Sequence, residues 1–249
     1  MKTELENGYG NGDASPETPP FCVIFDMDGV IFDSERTLLE SWLETAERYG
    51  VDRELVRDTY IRCIGTNRNQ TTEIYTSAFL PVLGEERMWN LWEESYALHR
   101  ERHPGGVLPL KAGVRELLEY LKANGIPAGI ASSSRKSTVE QQIGAAGLAG
   151  FFAGCVGGDA VKISKPDPEI YRLACGTFGF DPARTYAVED SFNGIRSASA
   201  AGLKAVMVPD LVPPDDEMKR LSVTVCKDLF EAMEYFSRLP GSGKCGVST

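Results

Sequence analysis

Phe21-Cys-Val-Ile-Phe-Asp-Met-Asp-Gly29 constrains this chain more than any other stretch. Residues 21–25 form an apolar run without a charge, as in a strand buried on both faces of a parallel sheet. Asp26 and Asp28 stand at its C-terminal end. Residues two apart in an extended chain share a side, so both carboxylates start out facing one way, and Gly29 lets the backbone turn. In open α/β sheets, ligands bind outside the carboxyl ends of the strands. Two carboxylates this close repel unless a cation neutralises one or a proton is shared. Mg²⁺ takes carboxylate oxygens and would leave one aspartate to attack and the other to carry a proton. Alone, the D-x-D pair reads equally well as a turn with a helix cap, so the rest of the chain has to decide.

From Ser34 to about Pro104 the pattern is helical. Leu38, Leu39, Trp42, Leu43, Ala46 and Tyr49 recur at three and four residues, and Gly50 follows as a stop. Further helical periodicity runs through Leu55–Ile61, Ile74–Leu80 and Trp89–Leu98 with no strand between. The spacing predicts an all-helical module over 34–104, inserted after the first strand. Val30–Asp33 before it reads as a brief hairpin or flap.

Strict alternation then begins. Helices are expected at 114–124, from Ser137 to near Gly147 (a capping box with Glu140), after Asp167 as N-cap with Pro168 in the first turn, at 192–201 and at 229–236. Strands are expected at 126–131, 151–156, 185–188, 203–208 and 223–225. Strands alternating with helices imply an α/β fold: a Rossmann-like, doubly wound parallel sheet over 21–33 and 105–240. Residues 1–20 read as a disordered leader, and 241–249 as a loose tail.

Charge and cysteine usage narrow the function classes. A net charge of −10 argues against a general nucleic-acid surface, which needs a basic footprint. No apolar run is long enough for a membrane span, and no apolar signal region follows Met1. Cys22, Cys63, Cys155, Cys175, Cys226 and Cys245 are scattered without a C-x-x-C, as in the reduced thiols of a cytoplasmic protein. The two histidines, His99 and His103, are too few for a histidine metal site and read as solvated residues near a helix end.

The polar residues that interrupt the alternation fall at strand ends. Asp26 and Asp28 end the first strand, Ser132 and Ser133 the second, and Glu189 and Asp190 a later one, while Lys165 precedes a helix. In a parallel sheet these ends share one edge, and each residue type suits phosphoryl transfer. A carboxylate can attack phosphorus, and a second acid can protonate the leaving oxygen and then deprotonate water. Mg²⁺ offsets the repulsion between nucleophile and phosphate. Hydroxyls, a lysine and helix-start N–H groups can hold the transferring oxygens. Singly, each has a plain reading as an N-cap, a surface lysine or a helix-start acid pair.

Phe25-Asp-Met-Asp-Gly-Val30, Ala131-Ser132, Ser164-Lys165-Pro166 and Val188-Glu-Asp-Ser191 together resemble the four motifs of the haloacid dehalogenase-like (HAD) hydrolase superfamily. The resemblance spans about residues 21–236. It implies a Rossmann-like core with a helical C1-type cap, near the β-phosphoglucomutase-like and phosphatase branch. Carried over by motif, Asp26 is the nucleophile and Asp28 the general acid/base. Asp26, the Asp28 carbonyl and Asp190 hold Mg²⁺, with Glu189 beside them, and Ser132, Ser133 and Lys165 contact phosphate. Departures from relatives sharpen this. The dehalogenases lack an acid two residues after the nucleophile, but Asp28 is present. Phosphonoacetaldehyde hydrolases use a cap lysine, but residues 34–98 contain none. β-Phosphoglucomutases resemble the chain through Gly65-Thr-Asn-Arg68 and Ser134-Arg135, yet carry a cap histidine where Leu38 stands. The expectation is a Mg²⁺-dependent phosphatase of a small phosphorylated metabolite, with a sugar-phosphate mutase as the alternative. Arg68 is the candidate contact for a substrate's distal anion or hydroxyls. A cap that covers its own site is expected to let the chain work as a monomer.

Overall fold

The structure of the protein, a computed structural model, describes residues 19–66 and 68–241. The expected leader up to residue 18, and the expected tail beyond Gly241, lie outside the described residues.

Six parallel strands form one sheet: β1 (Cys22–Phe25), β2 (Ala128–Ser132), β3 (Cys155–Gly157), β4 (Thr185–Glu189), β5 (Lys204–Met207) and β6 (Ser222–Val225), in the order β3-β2-β1-β4-β5-β6. The chain winds outward from β1 to one side, then returns and winds outward from β4 to the other. The crevice of such a sheet opens where the winding reverses, between β1 and β4. Register delivers the site: Phe25 pairs with Ile130 of β2 and Val188 of β4. The next residue out, Asp26, donates its N–H to the Val188 carbonyl at 3.0 Å.

The pleat of β1 sorts its side chains between two apolar layers. Val23 and Phe25 join one layer with residues of α5 (Val114–Ala123), α6 (Lys136–Ala145) and α10 (Leu229–Ser237). Ile24 joins the other with residues of α7 (Glu169–Phe178), α8 (Phe192–Ala200) and α9 (Asp216–Leu221). The insert is four helices, α1 (Ser34–Arg48), α2 (Arg53–Cys63), α3 (Arg68–Leu83) and α4 (Glu85–Arg102), around their own apolar cluster. Trp42 is its centre, with ring centroids of Tyr75 at 4.9 Å and Trp92 at 5.6 Å. No described helix is long and apolar enough to cross a membrane, and the five described cysteines are free thiols.

Local expectations fail where tertiary partners intervene. The segment Val30–Asp33 is no free flap. Val30, Ile31 and Phe32 are buried, and Asp33 N–H and Lys111 N–H tie the two crossings into the cap together through Pro109 and Ile31 carbonyls, each at 2.9 Å. The Ser137–Glu140 capping box does not form. Asp159 accepts from Lys136 N–H at 2.9 Å, so a carboxylate from another loop starts α6 a residue early. Asp167 does accept from Glu169 N–H at 2.9 Å. Residues 149–151 form a 3₁₀ turn rather than the start of β3, and α9, with Asp215 accepting from Met218 N–H, was not foreseen. His99 is half-buried rather than solvated, with Nε2 3.2 Å from Thr37 Oγ1.

Candidate active site

Lys165, in the loop before α7, is 1% exposed. Its Nζ donates to Asp26 Oδ1 and to Glu189 Oε1, both at 2.6 Å. A buried ammonium persists only when paired, and here two carboxylates outweigh the cost of burial and hold its pKa above the ordinary lysine value. Glu189 is fully engaged: Tyr171 OH donates to Oε1 at 2.6 Å and Ser191 Oγ to Oε2 at 3.2 Å. Ser191 Oγ in turn accepts from Gly194 N–H at 3.0 Å and caps α8. Gly194 has no alternative, because a Cβ there would lie 2.0 Å from the Glu189 carboxyl. Gly29 is constrained twice over, by φ +78° and by Asp190 Oδ2, 2.2 Å from where its Cβ would be.

Asp26, Glu189 and Asp190 are buried and each offers an oxygen within 4.8 Å of the others. Burial pushes Asp26 up to about 8; Lys165 opposes this, and Glu189 and Asp28 add to it. Burial, then Glu189 and Asp26, raise Asp190 well above the carboxylate range. Three buried acids share one cation, Lys165, so negative charge is left over, and an all-oxygen donor set suits a hard divalent ion. Asp26 and Asp190 fit that task. Both oxygens of Glu189 already accept from Lys165, Tyr171 and Ser191, so its place beside the cluster is that of an anchor. Asp28 Oδ2 accepts from Ser134 Oγ at 2.9 Å. Ser132 is fully buried, with its Oγ accepting from Ser134 N–H at 3.0 Å.

A cavity of about 580 Å³ joins this edge to the insert. The core lines it with Asp26, Asp28, Ser133, Ser134, Lys165 and Asp190. Of the two expected phosphate contacts, Ser133 lines the cavity and Ser132 does not, while Ser134, not expected, lines it too. The cap contributes Leu38, Trp42, Tyr60, Tyr96, Arg68 and Arg100. Arg68, at the start of α3, therefore faces the same space as Asp26, and it is exposed. The cap touches the core from α3 and from the loop before it. Ser164 Oγ donates to Gln70 Oε1 at 3.3 Å, and a Cβ on Gly65 would lie 2.9 Å from Ser191 Oγ.

Sequence reasoning missed two residues here. Glu35, in the first turn of α1, lines the cavity and accepts from Tyr60 OH at 2.8 Å. Burial, then the charge of Asp28, pushes its carboxyl up to about 7. Only its position one residue after the crossing into the cap could have signalled it. Tyr171 was hidden among the apolar positions of α7.

This geometry has known counterparts. The pattern of the haloacid dehalogenase-like hydrolases matches residues 23–208. A phosphorylated carbohydrates phosphatase of Thermotoga maritima is 32% identical over 189 residues, 74% of this chain and 83% of that protein. Hexitol phosphatase B of Escherichia coli is 29% identical over 222 residues, covering 84% and 96%. The crystal structure of a candidate β-phosphoglucomutase from Thermotoga maritima superposes with a TM-score of 0.71 at 26% identity, covering 88% of this chain and all of that one. The chain belongs to the haloacid dehalogenase-like hydrolases, in their β-phosphoglucomutase-like and phosphatase branch.

Proposed function

We propose that the protein is a Mg²⁺-dependent phosphatase that hydrolyses a small phosphorylated carbohydrate or polyol through an aspartyl-phosphate on Asp26. The observation that carries this is the buried Lys165 bridging Asp26 and Glu189, with Asp28 lining the same cavity. Asp26 attacks phosphorus, the ester P–O bond breaks, and Asp28 gives its proton to the departing alcohol oxygen. Asp28 then takes a proton from a water that attacks the same phosphorus; the bond to Asp26 breaks and inorganic phosphate leaves. Lys165 faces the charge that develops on the transferring oxygens, in a site where water cannot screen it. Asp26, Asp190 and the Asp28 carbonyl would hold Mg²⁺, which when bound neutralises the acids and polarises the phosphoryl group. Ser133 and Ser134, which line the cavity, are assigned to hydrogen-bond phosphate.

The carbohydrate or polyol assignment draws on what the two relatives are named for. It also draws on the Glu35–Tyr60 pair, a carboxylate and a phenol able to bind hydroxyls. Arg68 is assigned to a distal hydroxyl or anion. The sugar-phosphate mutase alternative is less well supported. Leu38 offers no proton-carrying group where the mutases have a histidine, and a mutase has to hold its doubly anionic intermediate while it turns over. Free thiols suit a reducing, cytoplasmic setting, and the cap's cover over the site suits a monomer.

With Mg²⁺ present, Asp26→Asn is expected to lower turnover of a chromogenic phosphate ester by roughly a thousandfold or more. Full activity in that variant would overturn the phosphoenzyme reading. Release of free phosphate from hexitol and sugar phosphates, rather than isomerised ester, separates phosphatase from mutase.

A further inference from the structure

We infer that Tyr171 is a positioning residue for the reaction, acting through Glu189 to keep the Lys165 ammonium at the nucleophile. The inference rests on the phosphatase reading. Tyr171 is completely buried on α7, beside Ile170, Ala174 and Cys175. A phenylalanine would fill that space equally well, so packing does not explain the hydroxyl. Among the described residues its one hydrogen-bond partner is Glu189 Oε1 at 2.6 Å, the same oxygen that receives Lys165 Nζ at 2.6 Å. Lys165 Nζ also lies 5.2 Å from the centre of the Tyr171 ring, within cation–π range. Burial, then the charge on Glu189, keeps the phenol protonated, so it is a donor at any working pH.

The need for such a clamp arises midway through the reaction. Before attack, Lys165 is held by the carboxylates of Asp26 and Glu189, each at 2.6 Å, with a longer contact of 3.3 Å to the Ala131 carbonyl. Once Asp26 carries the phosphoryl group as an acyl phosphate it is no longer a full carboxylate, and that side of the grip weakens. Glu189 then keeps the ammonium aimed at the transferring oxygens, and only if its own carboxylate stays fixed. Ser191 Oγ and the close backbone at Gly194 confine one end of that carboxylate, and Tyr171 confines the other.

The test is a double-mutant cycle of Tyr171→Phe and Glu189→Gln, assayed with saturating Mg²⁺ and p-nitrophenyl phosphate. Tyr171→Phe is expected to melt several degrees below wild type yet stay folded at the assay temperature and keep KM, while kcat falls roughly tenfold, as for losing one hydrogen bond to a charged group. The same change in the Glu189→Gln background is expected to add almost nothing. A second readout needs no turnover: the ¹⁵N resonance of the buried Lys165 ammonium should move in Tyr171→Phe. Unchanged kcat, an equal loss in both backgrounds, an unmoved resonance, or a loss explained by unfolding at the assay temperature would each overturn the inference. Wild-type silence across phosphate esters would instead sink the phosphatase reading, with the resonance still able to judge Tyr171.

Discussion

On the sheet side of the cavity, Lys165, Asp26, Glu189 and Tyr171 satisfy one another at 2.6 Å and are all but sealed from solvent. On the cap side, Arg68 and Arg100 are exposed, and Glu35 has one phenol for company. On the proposed function, the contrast follows from what each side has to do. Charge that develops at phosphorus is best met by groups fixed in advance in a dry site. The part of a substrate that distinguishes it from others has to enter and leave, so its contacts stay near water and on an element that can move. The cap carries its own apolar core around Trp42, so it can shift as a unit while the strand ends stay in register.

The sharpest way to break that comparison is to remove one cation from each side. Lys165→Ala leaves two buried carboxylates facing each other. Stability is expected to fall by about 3–5 kcal/mol, and kcat by at least roughly a hundredfold, read by denaturant melts and ester hydrolysis. Arg100→Ala should stay within about 0.5 kcal/mol of wild type and raise KM for the physiological ester more than it lowers kcat. Equal damage from both changes would mean the two sides are not built differently.

A second break is in packing. Trp42→Ala empties the centre of the cap and is expected to cost about 3–5 kcal/mol. Hydrogen exchange should show the loss within residues 34–102, while β1 and β4 keep their protection. Activity on p-nitrophenyl phosphate should fall far less than in Lys165→Ala, because the acids and lysine remain. Loss of protection in the sheet would show that cap and core fold as one body.

The same contrast explains what could be read from the chain. The edge of the candidate site was legible because a parallel α/β sheet brings all its strand ends to one side, and a charged residue ending an apolar run stands out. Asp26, Glu189 and Asp190 carried that signal, while Lys165, in a loop before a helix, was legible only in company with them. Tyr171 and Glu35 carried no such signal. A buried tyrosine on α7 reads as core, and a glutamate in the first turn of a helix reads as ordinary end chemistry. The capping box at Ser137 failed for a related reason: Asp159 reaches the helix start from 23 residues away, and local spacing says nothing of such partners. The helices of the cap were legible from their period, but which side chains face the cavity depends on how four helices pack, and that is not written in any one of them.

A smaller effect sharpens the account of Glu35. Its folded pKa, about 7, lies above the ordinary 4.5, so the fold favours the neutral acid. That contribution is whole below pH 4.5 and is lost as pH rises through 7. In metal-free protein Glu35→Gln is expected to melt with wild type at pH 4.5 and above it at pH 8, by at most about 3 kcal/mol. With Mg²⁺, the variant should lose several-fold in kcat/KM on a polyol phosphate and little on p-nitrophenyl phosphate. Equal losses on both would remove Glu35 from substrate recognition.

The smallest effect is at His99, where the cap meets its own crossing from the core. Burial first, then the positive charges of His103, Arg100 and Arg102, lowers its pKa from 6.5 to about 4. Thr37 Oγ1 lies 3.0 Å from the Asp33 carbonyl and 3.1 Å from that of Ser34. The hydroxyl proton goes to a carbonyl, which leaves the oxygen to accept from His99 Nε2–H. The neutral ring therefore braces the first turn of α1, next to Asp33 and Glu35. A depressed histidine pKa gives stability that is whole above pH 6.5 and drains as pH falls toward 4. His99→Gln keeps a donor for Thr37 but cannot titrate. Its Tm should match wild type at pH 7.5 and exceed it by roughly 2–4 °C near pH 4.5, in scans of the metal-free chain. Parallel acid limbs in the two proteins would show that the ring is free to take its proton, and that the cap's first turn is not braced through Thr37.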